Sequence, residues 1–475
     1  MTSNELFEKV FAKAKEYGLT AKNDSRTIID TKGNTIVRKN LDVAFSDDSA
    51  FFAFIRNEEE PTGPYSDFSF VVFPDDKVNV ETCVVSLGVG SSGFRNDYRL
   101  ASLPGLRRLF LKLKAENAFF KTSFEDIEST SSDLLAEIRT NFPQLKTVIE
   151  SYKTVLPASQ ILKMEDEESA LETIYTWLAL YAKIRSWGNT AQKKLVEKQL
   201  EKIPQPTLPN DEEEIKNLLE KRKYVVLQGA PGTGKTYTAL KIAKEYDNVL
   251  FEQFHADTNY SDFVYGIEPD TILNGDAPRF KEKKGILYEA IEYALDHENE
   301  KVLLIIDEIN RANLSNVLGP VFYLFEYQSG VRNAKVKIGG LELENLPDNI
   351  DVIATMNTAD RSLAVVDFAL RRRFAWYTLR PHEIESDKGK IFMKKTYRKF
   401  ADIFFQYATD EELNLQPGQS YFIVEKGKKD EEMKERMIYE LMPLIKEYLA
   451  EGYLLKAKDS FCDLFLKETG KLMYE

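Results

Sequence analysis

The sequence predicts an α/β protein whose central third is a parallel sheet flanked by helices, and three observations support this. The apolar run "YVVLQ" leads into the glycine-rich loop "GAPGTGKT", after which "YTALKIAKEY" has helical spacing. A second apolar run, "KVLLIIDE", ends in two carboxylates. Strand and helix patterns alternate from Tyr224 to about Arg380, which is typical of parallel strands joined by crossovers.

Residues 1–130 precede this core and are predicted to form a small α+β domain. An amphipathic helical pattern opens the chain, and the strands "FSFVVFP" and "TCVVSLGVG" are separated by Pro, Gly and Asp. In residues 131–208, apolar side chains recur at three- and four-residue steps, as in "SALETIYTWLALYAKIRSW". We expect continuous helix from Ser131 to about Lys202, followed by the proline-stiffened linker "IPQPTLP".

The core is predicted to span residues 209–380, and a helical lid residues 381–475. Asn210 or Asp211 can cap a new helix with an acidic first turn, so the core begins directly after the linker. The last hundred residues return to helical spacing, as in "MIYELMPLIKEYLAEGYLLKAK". A sheet domain followed by a smaller helical domain is therefore expected.

Composition favours a soluble, cytoplasmic protein without an overall basic surface for nucleic acid. The 475 residues carry a formal net charge of −13, and no apolar stretch reaches the roughly 18–20 residues of a membrane span. Cys83 and Cys462 lack metal-ligand spacing, so no zinc site or disulfide framework is expected. One stretch, Phe94 to Lys121, has a positive net charge, in contrast to the whole chain, because it carries seven basic and two acidic residues.

The glycine-rich loop has the chemistry of a phosphate-binding loop. Its glycines permit conformations in which consecutive N–H groups face phosphate oxygens, and the next helix presents its positive end. Lys235 adds a charge for the β- and γ-phosphates, and Thr236 offers a hydroxyl to magnesium. The predicted nucleotide-binding residues are Gly229, Ala230, Pro231, Gly232, Thr233, Gly234, Lys235, Thr236 and Tyr237. An ordinary glycine loop is the alternative.

Two carboxylates at a strand end complete the predicted hydrolytic site. Asp307 and Glu308 follow the apolar run "VLLII", so they lie at the carboxyl edge where ligands bind in open α/β sheets. We expect Asp307 to hold the metal and Glu308 to polarise the attacking water. By itself such a pair would often be only a strand end, but it follows a phosphate-binding loop here.

Two later segments supply further candidates. Asn357 ends the strand pattern of "DVIATMNTADRS", where its amide could lie beside the γ-phosphate and the water, or could belong to a polar turn. Three arginines, Arg371, Arg372 and Arg373, follow in "DFALRRRFAWYTL". Such a cluster is usually a solvated face, yet at the end of a nucleotide domain it can reach a neighbouring subunit's phosphate, where an arginine accelerates hydrolysis.

These motifs in this order resemble the AAA+ superfamily, and in particular the McrB-type motor subunits of McrBC modified-cytosine restriction systems. The likeness covers about residues 227–447 and rests on "FHADTNYSDFVYGIEP", "IIDEINRANLSNVLGPVFYLFE", "MNTADRSLAVVDFALRRRF" and "LQPGQSYF". It implies an AAA+ P-loop NTPase core with a helical lid, in a homo-oligomer that is commonly a hexameric ring. It also implies hydrolysis of GTP or ATP with Mg²⁺, and a separate McrC-like nuclease subunit acting on DNA that carries modified cytosine.

The resemblance also assigns roles to individual residues. Lys235 and Thr236 would bind phosphate and magnesium, Asp307 and Glu308 would be the Walker B pair, and Asn357 the first sensor. It implies that Asp360 communicates with the nuclease partner or the attacking water. Arg371 and Arg372 would act across the subunit interface, with the choice between them open.

The sequence departs from the family pattern at one position and leaves the first domain open. Gln419 stands where histidine is expected, which puts the role of that position in doubt, whereas His255 in "EQFH" matches. In the basic stretch, Phe94, Tyr98 or Phe110 could stack on a flipped base. Alternatively, its leucines bury one side of a helix while the arginines face water.

Three functions compete on the sequence alone. The first is a nucleotide-driven restriction motor that selects DNA and activates a nuclease. The second is a remodeller of protein clients similar to MoxR-type AAA+ ATPases, which the acidic net charge favours. The third is a nucleotide-gated DNA-binding module without turnover. The McrB-like motifs and the basic stretch favour the first function.

Overall fold

A computed structural model describes most of the chain. The described residues are 1–19, 35–41, 50–56, 59, 63–113, 118–120, 140, 155–203, 210–270, 280–326, 335–359, 368–386 and 389–474. The chain divides into two compact units, Met1–Pro206 and Thr207–Glu475.

The first unit combines one antiparallel sheet with helices. Its helices are α1 (Ser3–Glu16), α2 (Tyr98–Ala101), α3 (Pro104–Leu111), α4 (Glu167–Arg185) and α5 (Thr190–Leu200). Its strands are β1 (Thr35–Asn40), β2 (Phe51–Arg56), β3 (Phe68–Pro74), β4 (Thr82–Val89), β5 (Ala118–Phe120) and β6 (Ala158–Lys163). The strand order is β1-β2-β3-β4-β6-β5, so an α+β arrangement is present as predicted.

Alternate residues of the central strands supply the core of this unit. Phe52, Phe70 and Val85 are fully buried in one cluster with Leu6 of α1 and Trp177 of α4. The alternation follows from the pleat, which sends successive side chains to opposite faces. Both helices therefore contribute to the same hydrophobic core as the sheet.

The expectation of continuous helix from Ser131 to about Lys202 is wrong at β6. Ala158–Lys163 pairs antiparallel with β4 and with β5, and its first five residues are all buried. A strand buried on both faces loses the two-residue alternation that would distinguish it from a helical segment. Helix does follow, in α4 and α5.

The basic stretch of the first unit is anchored through two buried aspartates. Asp67, at φ +67°, accepts hydrogen bonds from the N–H groups of Arg95, Asn96 and Asp97 at 2.8–2.9 Å. Burial by itself would raise the pKa of Asp67, but these N–H groups hold it below its ordinary value. Asp97 accepts a hydrogen bond from Arg185 of α4 at 2.8 Å.

The second unit begins with the nucleotide-fold elements. Its helices before the lid are α6 (Asp211–Arg222), α7 (Lys235–Ile242), α8 (Tyr260–Phe263), α9 (Ile286–Asp296), α10 (Leu314–Leu318) and α11 (Phe368–Arg373). Its strands there are β7 (Tyr224–Gly229), β8 (Asn248–Gln253), β9 (Tyr265–Pro269), β10 (Phe280–Lys284), β11 (Val302–Asp307), β12 (Val336–Ile338), β13 (Leu341–Leu343), β14 (Ile350–Asn357) and β15 (Ala375–Thr378).

Five of these strands form the predicted parallel sheet, in the order β15-β7-β14-β11-β8. Every neighbouring pair is parallel, so all five carboxyl ends lie at one edge. The buried residues of β11 alternate between two cores, with Leu303 and Ile305 in one and Leu304 and Ile306 in the other. Helices therefore cover both faces, and the predicted α/β fold class is confirmed.

The lid follows as a mainly helical subdomain with its own core. It contains β16 (Lys390–Phe392), α12 (Lys394–Tyr407), β17 (Ile423–Glu425), α13 (Lys429–Arg436), α14 (Met442–Ala450) and α15 (Lys458–Thr469). Phe400, Phe404 and Phe461 pack together at the centre of this core.

Candidate functional site

The glycine-rich loop connects β7 to α7 at the carboxyl edge of the sheet. Gly232 and Gly234 have φ values of +78° and +87°, in the left-handed region that favours glycine. The Thr233 hydroxyl, which is buried, donates to the Ala230 carbonyl at 2.9 Å. The loop is therefore closed by its own side chain, and its conformation depends on glycine at two positions.

Lys235 lies at the first turn of α7 and turns back over the loop. Its ammonium donates to the carbonyl oxygens of Gly229 at 3.0 Å and Ala230 at 2.9 Å. The charge is thus held above the loop, where phosphate oxygens would offer it stronger acceptors than neutral carbonyls. Tyr237, two residues further along α7, is 72% exposed, and Pro231 is half-buried.

A threonine, an aspartate and a second threonine form a hydrogen-bonded cluster beside the loop. The hydroxyl of Thr236 donates to Asp307 Oδ1 at 2.8 Å, and the hydroxyl of Thr355 donates to the same oxygen at 2.7 Å. Asp307 and Thr355 are buried. These are hard oxygen ligands, and Mg²⁺ in nucleotide sites takes one or two protein oxygens together with phosphates, so Thr236 and Asp307 fit the ion.

Sequence reasoning missed Thr355. It lies on β14, the strand between β7 and β11, two residues before the predicted Asn357. Besides its bond to Asp307, its oxygen accepts the N–H of Glu308 at 3.0 Å. Thr355 therefore fixes both carboxylate residues at once. The only signal in the sequence was its two-residue spacing from Asn357, which places both on one face of the strand.

Glu308 occupies a turn directly after β11. Its φ and ψ are 55° and 47°, a left-handed conformation that is uncommon for a residue other than glycine. Its carboxylate pairs with Arg311 at 2.5 Å, and the two side chains are 28% and 47% exposed. The turn thus points a partly exposed carboxylate away from the strand, where it could accept a proton from water after leaving Arg311.

The other predicted polar residues follow β14. Asn357 is level with Gly229 of the neighbouring strand and is half-buried. Its side-chain oxygen accepts the N–H of Ala359 at 3.4 Å, and its carbonyl accepts Asn310 Nδ2 at 3.4 Å. Asp360 lies outside the described residues.

The three consecutive arginines have different environments. Arg371 and Arg372 are exposed, Arg371 with its guanidinium 5.2 Å from the centre of the Trp376 ring. Arg373 is buried, pairs with Glu326 at 3.4 Å and lies 4.3 Å from the centre of the Phe322 ring.

The lid contacts the phosphate-binding loop through Gly418–Ser420. The N–H of Gly418 donates to the Pro231 carbonyl at 2.9 Å, and the N–H of Ser420 donates to the Gly232 carbonyl at 3.1 Å. A Cβ at Gly418 would lie 2.1 Å from the carbonyl carbon of Gly232, so only glycine allows this approach. The lid is therefore attached to the loop by backbone hydrogen bonds.

Other candidates from the sequence lie outside this cluster. His255 is exposed, and its N–H donates to the Thr258 hydroxyl at 3.0 Å, which is a local turn contact. In the first unit, Phe110 is buried against Phe68, with ring centres 6.1 Å apart. Phe110 stacking on a flipped base is therefore wrong, because the ring belongs to the core. Tyr98 is 69% exposed.

Helix α3, within the basic stretch, is amphipathic, which agrees with the second of the two interpretations given above. Leu106 and Phe110 are buried, whereas Arg107 and Lys112 are exposed. The face that carries Leu106 and Phe110 therefore packs inward, while Arg107 and Lys112 face water together with Leu111, which is 46% exposed. None of the described helices is both long and apolar enough to cross a membrane.

Comparison with known proteins finds a match to an AAA domain model within the second unit. Residues 224–374 match the family model described as AAA domain (dynein-related subfamily). The chain is 34% identical over 272 residues to the type IV methyl-directed restriction enzyme EcoKMcrB subunit of Escherichia coli K12, covering 52% of this chain and 57% of the relative. The predicted resemblance to McrB-type AAA+ motors is thereby confirmed.

Two further likenesses are more distant. The type II restriction enzyme BsuMI component YdiS of Bacillus subtilis 168 is 29% identical over 209 residues, or 36% of this chain and 61% of the relative. A solved structure of a candidate ATPase from Cytophaga hutchinsonii is 20% identical, covers 48% of this chain and 66% of that one, and has a TM-score of 0.24, too low to support an argument. The chain spans less than two thirds of either restriction-enzyme relative.

Proposed function

We propose that the chain, whose residues 224–374 match the AAA domain model, is the nucleoside-triphosphate-hydrolysing motor subunit of a McrB-like restriction system. One observation supports hydrolysis above the others. Thr236 of the phosphate-binding loop and Asp307 at the end of β11 share a hydrogen bond of 2.8 Å, and Glu308 follows directly. The groups proposed to bind phosphate, to bind metal and to accept a proton therefore lie at one edge of the sheet, which supports the proposal.

In this proposal the loop N–H groups and Lys235 bind the triphosphate of GTP or ATP. Thr236 and Asp307 hold Mg²⁺, which supplies charge neutralisation when bound. Glu308 accepts a proton from the attacking water, so its ion pair with Arg311 must open first. Asn357 orients that water by its amide, and Asp360 keeps its predicted role in communication or water binding.

We further propose that the active form is a homo-oligomeric ring, hexameric by family resemblance. Arg371 and Arg372 are exposed, as arginines that reach a neighbouring subunit's phosphate must be. Arg373 is buried against Glu326, so it is not a candidate for that role. Hydrolysis would therefore depend on assembly.

The first unit is proposed to bind DNA, including DNA with modified cytosine, and a separate McrC-like nuclease is proposed as partner. Support comes from the exposed Arg99, Arg107 and Lys112 around α3, and from two relatives whose names describe parts of restriction enzymes. The acidic net charge of −13 instead favours a protein client, as in MoxR-like remodelling.

Hydrolysis is tested with Glu308→Gln, with the exposed Glu298→Gln as matched control. We expect Glu308→Gln to bind GTP or ATP with Mg²⁺ and to lose turnover by roughly 10²–10⁴-fold, because a general base is removed. Glu298→Gln should hydrolyse like the wild type. Unchanged turnover in Glu308→Gln would reject this assignment.

DNA binding is tested on duplexes with and without modified cytosine across a salt series. Replacing Arg99 and Arg107 by Ala should weaken DNA binding and make its salt dependence shallower. The magnitude of the slope of log binding constant against log salt should fall by roughly 1 for each phosphate that the variant no longer neutralises. Replacing Lys193 and Lys194, exposed on α5 of the same unit, is the matched control. Absence of binding at every salt concentration would favour the protein-client function.

A further inference from the structure

A cleft of about 680 Å³ opens beside the phosphate-binding loop. Its lining combines Gly232–Gly234 of the loop with Tyr237 of α7, the apolar side chains Leu379 and Phe392, and Gln419 of the lid. The lining also includes charged side chains, among them Glu212, Lys241 and Glu385, so the cleft offers both apolar contact and polar groups to the nucleoside half of a nucleotide. This inference rests on the proposed function, because it concerns the same nucleotide.

Gln419 is held in a fixed place at this cleft. The residues on either side of it, Gly418 and Ser420, donate backbone hydrogen bonds to the loop carbonyls of Pro231 and Gly232. The Gln419 side chain is itself buried, with 9% of the residue exposed. Backbone and side chain together therefore leave the amide little freedom.

The orientation of the amide follows from its partner. Gln419 Nε2 donates to the Thr233 carbonyl at 2.9 Å. A carbonyl can only accept, so the nitrogen must face Thr233 and the oxygen must point away from it. That oxygen, Oε1, is buried and has no hydrogen-bond partner among the described residues. A buried acceptor without a donor costs about 1–3 kcal/mol.

The missing donor can come from only one half of a nucleotide. Ionised phosphate oxygens accept hydrogen bonds and would be repelled by Oε1, whereas ribose hydroxyls and base N–H groups donate. We infer that Gln419 is a nucleoside-binding residue: its Oε1 accepts a hydrogen bond from a ribose hydroxyl or a base N–H group, while its Nε2 keeps the lid on Thr233. Because Oε1 is closed to solvent in this structure, the inference requires that the contacts around Gln419 give way enough to admit the donor when the nucleoside enters.

This role belongs to the position where the chain departs from its family pattern. A glutamine amide supplies a donor and an acceptor at every pH, so it can hold the loop and the nucleoside together. Methionine has a similar length but cannot form either hydrogen bond at that strength. Gln419→Met therefore removes both hydrogen-bonding groups of the amide and keeps most of the side-chain volume.

The experiment measures equilibrium binding by calorimetry to the full-length protein with Mg²⁺, using non-hydrolysable GTP and ATP analogues and inorganic tripolyphosphate. We expect Gln419→Met to weaken binding of the nucleotide that the wild type prefers by roughly 5–30-fold, the effect of removing one or two hydrogen bonds. Affinity for tripolyphosphate, which has no nucleoside, should change by less than about twofold. Gln406→Met, an exposed glutamine on α12, is the matched control and should bind like the wild type.

Analogues identify the donor. Three analogues each lack one possible donor: the 2′-hydroxyl, the 3′-hydroxyl or the exocyclic amine of the base. The analogue that lacks the true donor should bind to the wild type as weakly as the parent nucleotide binds to Gln419→Met. That same analogue and the parent nucleotide should bind equally well to Gln419→Met, since the variant has already lost the hydrogen bond.

Two results would overturn the inference. Equal losses of affinity for nucleotide and tripolyphosphate would mean that Gln419 acts only by shaping the loop, and unchanged affinities would mean that it does not contact the nucleotide. A wild-type protein that binds no triphosphate at all would instead overturn the proposed function itself.

Discussion

Arg373 and Arg372 are neighbours in the sequence, yet the structure predicts opposite consequences for their removal. The Arg373 side chain is 7% exposed and that of its partner Glu326 is 19% exposed, with 3.4 Å between them. Truncating one member of a buried ion pair costs roughly 3–5 kcal/mol, because the other charge stays buried without its partner. Since Glu326 retains some exposure and still lies 3.6 Å from Arg372 after the change, the loss should be smaller, and we expect Arg373→Ala to lower the free energy of unfolding by about 1–3 kcal/mol.

Arg372→Ala is the matched control for this prediction. The Arg372 side chain is 58% exposed and its distance to Glu326 is 3.6 Å, so an exposed pair of this kind contributes roughly 0–1 kcal/mol. Its removal should leave the unfolding transition nearly unchanged. Under the proposed function it should nevertheless reduce hydrolysis in the assembled protein, because Arg372 would act on a neighbouring subunit.

Urea unfolding without nucleotide, followed by circular dichroism, measures the stability of both variants. Hydrolysis at a concentration that supports assembly measures activity, and mixtures with wild type show whether the arginine acts between subunits. If Arg373→Ala unfolds at the wild-type urea concentration, or if Arg372→Ala is destabilised as strongly, the assignment of one structural and one functional arginine is refuted.

Three further predictions follow from the site and the first unit. Arg311→Ala should raise basal hydrolysis about 2–5-fold, because it removes a partly exposed ion pair that holds Glu308 away from the attacking water, and the factor corresponds to the energy of such a pair. Slower turnover in a steady-state assay would contradict this. Thr355→Val should raise the Mg²⁺ concentration needed for half-maximal nucleotide binding, because the hydroxyl bound to Asp307 is removed; an unchanged Mg²⁺ titration would count against it. Burial raises the pKa of the Cys83 thiol to about 12, so a thiol reagent at neutral pH should modify it only on unfolding, and rapid labelling in the folded protein would show that the thiol is accessible.

The sequence predicted the elements of the parallel-sheet core well because the patterns that define them are local. A glycine-rich loop between a strand and a helix, and carboxylates directly after a buried strand, have placements set by the strand-end geometry of a parallel sheet. β7, α7 and β11 lie where those patterns predicted them. The α/β fold class followed from the same alternation.

Other features could not be predicted because distant segments decide them. β6 resembles a helical segment in its apolar spacing, and becomes a strand by pairing with β4 and β5. Phe110, a candidate for base stacking, is instead buried by packing against Phe68. In each case the local pattern permits two structures, and burial against another part of the chain selects one.

The sequence by itself determined which side chains the proposed site offers to phosphate and magnesium, since the donor and acceptor groups of glycine, lysine, threonine and aspartate residues do not depend on where the fold places them. Only the tertiary structure decided how they are joined. It joined the Thr355 hydroxyl to the Asp307 carboxylate and to the backbone N–H of Glu308, turned Arg373 inward beside two exposed arginines, and placed the Gln419 amide of the lid on the Thr233 carbonyl. These interactions connect segments far apart in the chain, so no local spacing records them.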